Sequence, residues 1–595
     1  MWDWKKGVLV RVAGEGGEGV ISCGDMIARA MGRLGLDIFT FRTYPAEIKG
    51  GPAMNQVRGV SGKALSQGDK LDVLVAFNTE ACHLHLKDLR EGGVLVYDPM
   101  DWQDDPTRDI HRLPVHLQEI TAEVKSRLSK NVAALGAAGK TLGFPVSVLE
   151  HVVAEKFSRK SEEVLAKNLD AMRIGFDRVD MSALPSAPPE LVELARNESL
   201  VVMSGNEALV LGALTAGVSY YAGYPITPAS DIMEGLAARL PRLGGVVLQT
   251  EDEVSALASC LGASYSGAKS MTATSGPGFS LMVELMGYSV MAEIPVVIVD
   301  CQRGGPSTGL PTKVEQSDLD LAIFGGHGEA PRIVLAPGNV EDCFYTIVQA
   351  FNMAEKYQCP VVVLSDQALA TRTQEFQKPD LASIQIEHRL VPTPEELKDY
   401  KRYRDTSSGV SPMAIPGTPG GEYISTGLEH GEDALPKYTG ENHSLMMAKR
   451  WRKIQPAASE PGLVKRYGAA KSTVGIITWG SNEGVCREAV QNLAEEGLDV
   501  GLLQVKLLNP LPEEQIAEFL NDMEAIVVPE MNFSGMFARI LRSAFMRPFT
   551  QLNKTMGLPF TAQEICEAVK EVWNSGKDNS GLQVGSETDL VSGLR

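Results

Sequence analysis

Basic residues are in deficit in this chain: 56 Lys and Arg stand against 75 Asp and Glu, a formal net charge of -19 over 595 residues. That balance argues against a nucleic-acid-binding surface and by itself identifies no partner. No apolar run is long enough to span a bilayer, and the N-terminal MWDWKKGVLVRVAG has none of the layout of a secretory signal. A cytoplasmic protein with no membrane association is therefore expected. Cysteine is sparse and scattered, at positions 23, 82, 260, 301, 343, 359, 486 and 566, with no CxxC pair among the eight. Zinc-knuckle and ferredoxin-type cluster motifs are thus missing, and reduced, buried thiols are the expected state. The remainder, 44% hydrophobic and 22% charged, is that of a globular protein whose length calls for about three or four domains.

The first segment opens with a predicted strand, GVLVRVAG, a glycine loop from Gly14 to Gly19, and a helix in ISCGDMIARAMGRLG. Strand, glycine loop and helix form the layout of a phosphate-binding turn, and the spacing satisfies GxGxxG. Glu15 and Glu18 would repel a pyrophosphate, however, and Asp37 comes too early for a ribose contact. A tight turn with close packing is the simpler reading. A loop with Arg42, Lys49 and Arg58 follows, then more strands and helices, so the class is α/β. Proline clusters in SALPSAPPELVELA mark an interdomain linker.

The middle segment holds the residues able to do chemistry. A helix from Glu207 to Ala216 stops at Gly217, and a short strand leads into Tyr224-Pro225-Ile226-Thr227-Pro228. The two prolines fix a rigid, non-helical loop that could aim the Thr227 hydroxyl; the same residues serve equally as the entry to a helix with Asp231 in its first turn. Glu251, Asp252 and Glu253 begin an Ala/Ser/Gly-rich helix and complement its dipole. Ser275-Gly276-Pro277-Gly278 follows a strand and carries no basic residue. The buried strand IPVVIVDCQ ends in Arg303-Gly304-Gly305-Pro306-Ser307-Thr308-Gly309-Leu310-Pro311-Thr312. Beyond the carboxyl end of an α/β strand, Arg303 is placed to take a carboxylate with two parallel hydrogen bonds, although a lone loop Arg also makes surface ion pairs. His327 is open to a polar or a structural role; His430 and His443 receive none. Residues 379–456 lose periodicity, and the last segment is α/β again. There Gly480, Ser481, Asn482 and Asn532 read as an anion site or as turn and cap residues.

Taken together, GEGGEGV with RTYPAEIKGGP, YPITPAS, and QRGGPSTGLPT resemble the 2-oxoacid:ferredoxin (acceptor) oxidoreductases. The resemblance implies an alpha subunit with a fused gamma domain. Three α/β domains follow: a gamma-type domain (1–183) that sits near coenzyme A, a Rossmann-like pyrimidine-type thiamine diphosphate domain (197–378), and a transketolase C-terminal-like domain (461–574). Residues 184–196 become a linker, 379–460 an ordered connecting segment that wraps the core, and 575–595 a tail. The resemblance also assigns roles. Glu253, with Glu251 as fallback, would bond N1′ of the cofactor ring, beside Tyr224, Pro225 and Ile226; Thr227, Arg303 and Thr312 would hold the 2-oxoacid. Glu253, Thr227 and Arg303 are the expected catalytic residues.

The chain has no GDG motif of the kind that holds Mg2+ and diphosphate, so the resemblance puts these and a [4Fe-4S] cluster on a beta subunit, in an (alpha-beta)2 assembly that reduces ferredoxin. The implied reaction is oxidative decarboxylation of a 2-oxoacid to acyl-CoA and CO2. Fused chains of this kind lean towards 2-oxoglutarate, with pyruvate or a branched-chain 2-oxoacid as alternatives. Two rivals are an NAD-dependent dehydrogenase built on the glycine loop and a non-catalytic scaffold subunit.

Overall fold

A computed structural model describes residues 2–45, 50–99, 108–188, 191 and 199–575. Lys49, most of the proline-rich linker and the tail beyond 575 lie outside the described residues. The chain forms two compact units, Met1–Met203 with Thr371–Lys378, and Ser204–Ala370 with Pro379–Arg595.

In the first unit, β1 (Val8–Glu15), β2 (Asp37–Thr43), β3 (Pro52–Val60), β4 (Leu71–Ala76), β5 (Leu89–Tyr97), β6 (His111–Pro114) and β7 (Leu200–Ser204) share an eight-stranded sheet with Thr373–Gln377. β1 runs antiparallel to β3 and parallel to β4. Its apolar residues are buried, as an interior strand requires. The glycine loop that follows is closed by its own acid. Glu18 accepts from Glu15 N at 2.8 Å, Asn78 Nδ2 at 3.0 Å and Lys130 Nζ at 2.6 Å. A Cβ on Gly14 would stand 2.7 Å from Glu18 Oε2. The loop is thus a tight turn whose polar interior is filled by a carboxylate of the chain.

The second unit contains two sheets. The larger one uses β8 (Tyr220–Gly223), β9 (Val246–Gln249), β10 (Ser270–Thr274), β11 (Val296–Gln302), β12 (Ile333–Leu335) and β13 (Pro360–Asp366), with β14 being the Thr373–Gln377 strand of the first unit. The order β12-β13-β11-β10-β8-β9 is parallel throughout. The other sheet takes β15 (Val464–Gly468), β16 (Ser472–Thr478) and β17 (Gly501–Val505); β18 (Leu507–Asn509) crosses over to extend the larger sheet antiparallel to β12, and β19 (Met523–Glu530) with β20 (Thr550–Asn553) complete the smaller one.

Residues 379–460 are ordered against this core by buried charge. Arg389 pairs with Glu355 through Nε at 2.9 Å and Nη2 at 2.7 Å, the fork geometry that suits a carboxylate. On the helix Gly440–Ile454, Lys449 and Lys453 stand four residues apart on one face. Both reach the fully buried Glu293, at 2.7 and 3.0 Å. Arg402 donates to the Glu293 carbonyl at 2.7 Å. Burial alone would raise the Glu293 pKa, but the three cations hold it well below the usual range. His430 is buried with its ring 3.9 Å from that of Tyr403, and His443 pairs with Glu429.

Candidate active site

The loops named in the sequence emerge at the carboxyl ends of four adjacent parallel strands. Tyr224–Thr227 follows β8, Glu253 follows β9, Ser275–Gly278 follows β10 and Arg303 follows β11. From β8 the chain goes outward to β9 and then back to β10 on the other side. That reversal opens a crevice between β8 and β10, where open α/β sheets bind ligands.

Behind the crevice the Tyr224–Pro228 loop is tied down. Ser230 N donates to Ile226 O at 2.9 Å, and Asn206 Nδ2, buried, to Pro228 O at 2.8 Å. The Thr227–Pro228 peptide is cis. The helix Ser230–Arg239 begins directly after, with Asp231 in its first turn, so these residues serve as the entry to a helix. Tyr224 and Pro225 are exposed; Ile226 and Thr227 are half-buried.

Arg303 meets this loop. Its Nη1 donates to the Thr227 main-chain oxygen at 2.6 Å, while its buried Nε has no hydrogen-bond partner among the described residues. Burial lowers its pKa, opposed by the charges of Asp300 and Asp318, and an arginine remains charged under such a shift. The segment beyond Arg303 folds back on itself. Gly304 N donates to Lys313 O at 3.0 Å, and Leu310 N to Gly304 O at 2.9 Å. A Cβ on Gly309, at φ +40°, would lie 2.4 Å from Gly304 O, so this return requires glycine. The Gly304–Lys313 bond closes the return of this segment, and Thr312, next to Lys313, is buried.

A carboxyl pair lies beneath. Asp300, fully buried at the end of β11, faces Asp318, whose N–H is held by Gln302 Oε1 at 3.1 Å. Burial, and then the charge of Asp318, push Asp300 well above the usual range. Burial pushes Asp318 up to about 6, with the hydrogen bond from Asp300 pulling the other way. Two facing buried carboxyls disfavour a second negative charge, and Asp300, the more deeply buried, is the one raised further. No signal within QRGGPSTGLPT points to this pair, because Asp318 lies outside the motif.

Among the three acids at the next helix, burial separates the roles. Glu251 is exposed, and Asp252 caps the helix by accepting from Ser255 N at 2.7 Å. Glu253 is 6% exposed and lies over the β10 loop: a Cβ on Gly278 would be 2.3 Å from Glu253 Oε1 and 2.2 Å from Thr274 Oγ1. No hydrogen bond among the described residues engages the Glu253 carboxylate. The residue is largely buried while its carboxylate oxygens are not closed off, so the carboxylate is open to an outside donor. The structure joins Arg303 to Thr227, and Thr312 lies at the end of the segment that returns to Gly304. Glu253 stands apart from them at the neighbouring strand end, and no contact among the described residues joins it to Arg303. His327 is exposed in the loop after the helix Leu319–Phe324.

Known proteins resemble this chain along most of its length. Residues 9–178 match the family described as Pyruvate ferredoxin/flavodoxin oxidoreductase. Residues 211–449 match Pyruvate flavodoxin/ferredoxin oxidoreductase, thiamine diP-bdg, and residues 472–565 match Pyruvate:ferredoxin oxidoreductase core domain II. The chain is 31% identical to 2-oxoacid:ferredoxin oxidoreductase 2, subunit alpha, of Aeropyrum pernix, over 97% of this chain and 99% of that one. It is 33% identical to the 2-oxoglutarate oxidoreductase subunit KorA of Mycobacterium tuberculosis, over 94% and 90%. A solved structure, 2-oxoglutarate:ferredoxin oxidoreductase from Magnetococcus marinus with 2-oxoglutarate, coenzyme A and succinyl-CoA bound, superposes with a TM-score of 0.91 at 44% identity, covering 95% of this chain and 99% of that one. Likeness at this level along almost the entire length of such relatives is conclusive for the family: the chain belongs to the alpha subunits of the 2-oxoacid:ferredoxin oxidoreductases.

Proposed function

We propose that this oxidoreductase subunit acts on 2-oxoglutarate, oxidising and decarboxylating it to succinyl-CoA and CO2 with ferredoxin as electron acceptor. The observation that carries the site assignment is Arg303: anchored by one nitrogen on Thr227 O, it keeps the rest of its guanidinium for an incoming carboxylate. Thr227 and Thr312 are the hydroxyl donors assigned to the same clamp. The choice of 2-oxoglutarate is supported by the likeness to the Magnetococcus marinus enzyme, whose structure contains it, and to the KorA chain.

Thiamine diphosphate fits the residues beside this clamp. When bound, it supplies the nucleophilic carbon and the electron sink that decarboxylation needs. Glu253, buried and lacking a donor, is suited to hold a proton between its Oε and a ring nitrogen, with Tyr224, Pro225 and Ile226 against the ring. Gly278 leaves the Glu253 carboxylate its room. Coenzyme A is the acyl acceptor in this reading.

We assign Mg2+, the diphosphate anchor and the [4Fe-4S] cluster to a beta subunit, in an (alpha-beta)2 assembly, since the eight cysteines are dispersed along the sequence. The exposed apolar residues Leu243, Val246, Leu248 and Val254, on and around the edge strand β9 next to Glu253, support a partner docking there. The segments 1–183, 197–378 and 461–574 retain the gamma-type, pyrimidine-type and transketolase C-terminal-like readings.

Turnover of the assembled enzyme with 2-oxoglutarate, pyruvate and a branched-chain 2-oxoacid tests the substrate. A kcat/KM for 2-oxoglutarate at least tenfold above the others is expected. Preference for pyruvate would overturn the choice.

A further inference from the structure

The smaller sheet of the second unit has the topology of a ligand-binding sheet, but its crevice is filled from within. The chain leaves β16 for β17 on one side and afterwards reaches β19 on the other, so the connections diverge between β16 and β19. Beyond the carboxyl ends of these strands lie the turn Gly480–Asn482 and the pair Met531–Asn532, the place where such a sheet would take a small molecule. The occupant is Gln316, four residues past Thr312. Its Oε1 accepts from Asn482 Nδ2 at 2.9 Å and from Met531 N at 3.1 Å, and its Nε2 donates to Trp479 O at 3.3 Å. Its own N–H donates to Met531 O at 2.6 Å, and its carbonyl accepts from Asn532 Nδ2 at 3.1 Å. A Cβ on Gly480, at φ +62°, would lie 2.5 Å from Gln316 Nε2.

The second anion position of this sheet is also taken. Glu530 accepts from Phe537 N at 2.8 Å and Ala538 N at 3.0 Å, at the start of the helix Met536–Phe545. With both positions occupied by side chains of the chain, the residues that read as an anion site in the sequence hold Gln316 and Glu530.

We propose that Gln316 is a positioning residue for the 2-oxoacid clamp, and that the C-terminal sheet serves as its socket. Arg303 is fixed at the end of β11, whereas Thr312 comes after a tip containing Gly304, Gly305, Ser307 and Gly309. Gln316 pins the returning leg, so that Thr312 is held in place before substrate arrives and little ordering entropy is lost on binding. The inference rests on the reading of Arg303 and Thr312 as the clamp.

Three variants in the assembled enzyme test it. Gln316→Met keeps the side-chain volume and removes every side-chain polar contact; Asn482→Ala removes a donor from the socket side; Arg303→Ala tests the clamp itself. Both socket variants are expected to raise KM for 2-oxoglutarate about tenfold, with kcat within threefold and KM for coenzyme A unchanged. Amide exchange at Gly304, Leu310 and Lys313 is expected to quicken at least tenfold, while the amides of β10 keep their protection. If Arg303→Ala leaves KM for 2-oxoglutarate unchanged, the clamp reading fails and takes this inference with it. If Arg303→Ala raises it but both socket variants stay within twofold of wild type, the positioning role alone is overturned. Loss of folded enzyme with an unchanged KM per remaining active site also overturns it.

Discussion

Arg303 Nη1 and the Thr227 carbonyl oxygen are 2.6 Å apart, joining the loop after β11 to the loop after β8 across 76 positions of sequence. Each loop is stiffened by proline and closed by local hydrogen bonds, and the Arg303 contact fixes one against the other. One nitrogen of the fork is spent on this anchor, which sets the direction in which the others point.

Replacing Glu253 separates catalysis from stability. Glu253→Gln is expected to lower turnover by roughly 100-fold or more, the range of a lost acid-base group. Its melting temperature should match that of wild type, because the carboxylate makes no hydrogen bond among the described residues that the amide would lose. Glu251→Gln, at an exposed position, should leave both unchanged. Activity assays and thermal melts read by circular dichroism check the pair of variants, and the reverse pattern would transfer the role to Glu251.

The Asp300–Asp318 pair predicts a pH signature. Burial raises both acids, so each binds its proton more tightly in the folded chain than in the unfolded one. The stability they contribute is complete below the ordinary Asp pKa of about 4 and, for Asp318, is lost as pH rises through about 6. Asp318→Asn abolishes that slope. Relative to wild type, the variant should gain about 2 kcal/mol between pH 4.5 and pH 7 in urea unfolding. A difference independent of pH would show that Asp318 is not perturbed.

Glu293 carries the opposite sign. Its pKa is held low by Lys449, Lys453 and Arg402 against burial, so the stability it contributes is present above the ordinary Glu pKa and is lost under acid conditions. Glu293→Ala leaves two buried ammonium groups without their carboxylate and should cost about 3–5 kcal/mol. Chemical denaturation at neutral pH measures it. A cost below about 1 kcal/mol would mean that the lysines find other partners or water.

Most of the candidate site was legible because its pieces are local in sequence. YPITP, the acids at 251–253 and QRGGPSTGLPT each sit at a strand end, and strand ends are readable from runs such as VVIVDCQ. What escaped depends on distant partners. For residues 379–456 composition alone allows a flexible linker, and only the resemblance implies order; the charges that order them, Arg389, Arg402, Lys449 and Lys453, meet Glu355 and Glu293 up to 160 residues away. Glu18 stood out as an acid in a glycine loop, but Asn78 and Lys130, which complete its bonding, are far along the chain. Gln316 offers no local signal at all. Its meaning lies in Met531 and in Asn482 and Asn532, which read in the sequence as an anion site or as turn and cap residues; the turn reading fits Asn532, which accepts from Gly535 N at 2.8 Å.

The steady-state kinetics of Arg303→Lys beside Arg303→Ala, in the assembled enzyme with 2-oxoglutarate, test the central assignment most directly. Lysine keeps the charge and can reach the Thr227 carbonyl, but it cannot offer a planar fork. The clamp predicts a fall in kcat/KM of about 100-fold or more for both variants, because a lost charged hydrogen bond to substrate costs about 1.5–3 kcal/mol and the fork supplies more than one. Wild-type kcat/KM in either variant would contradict it.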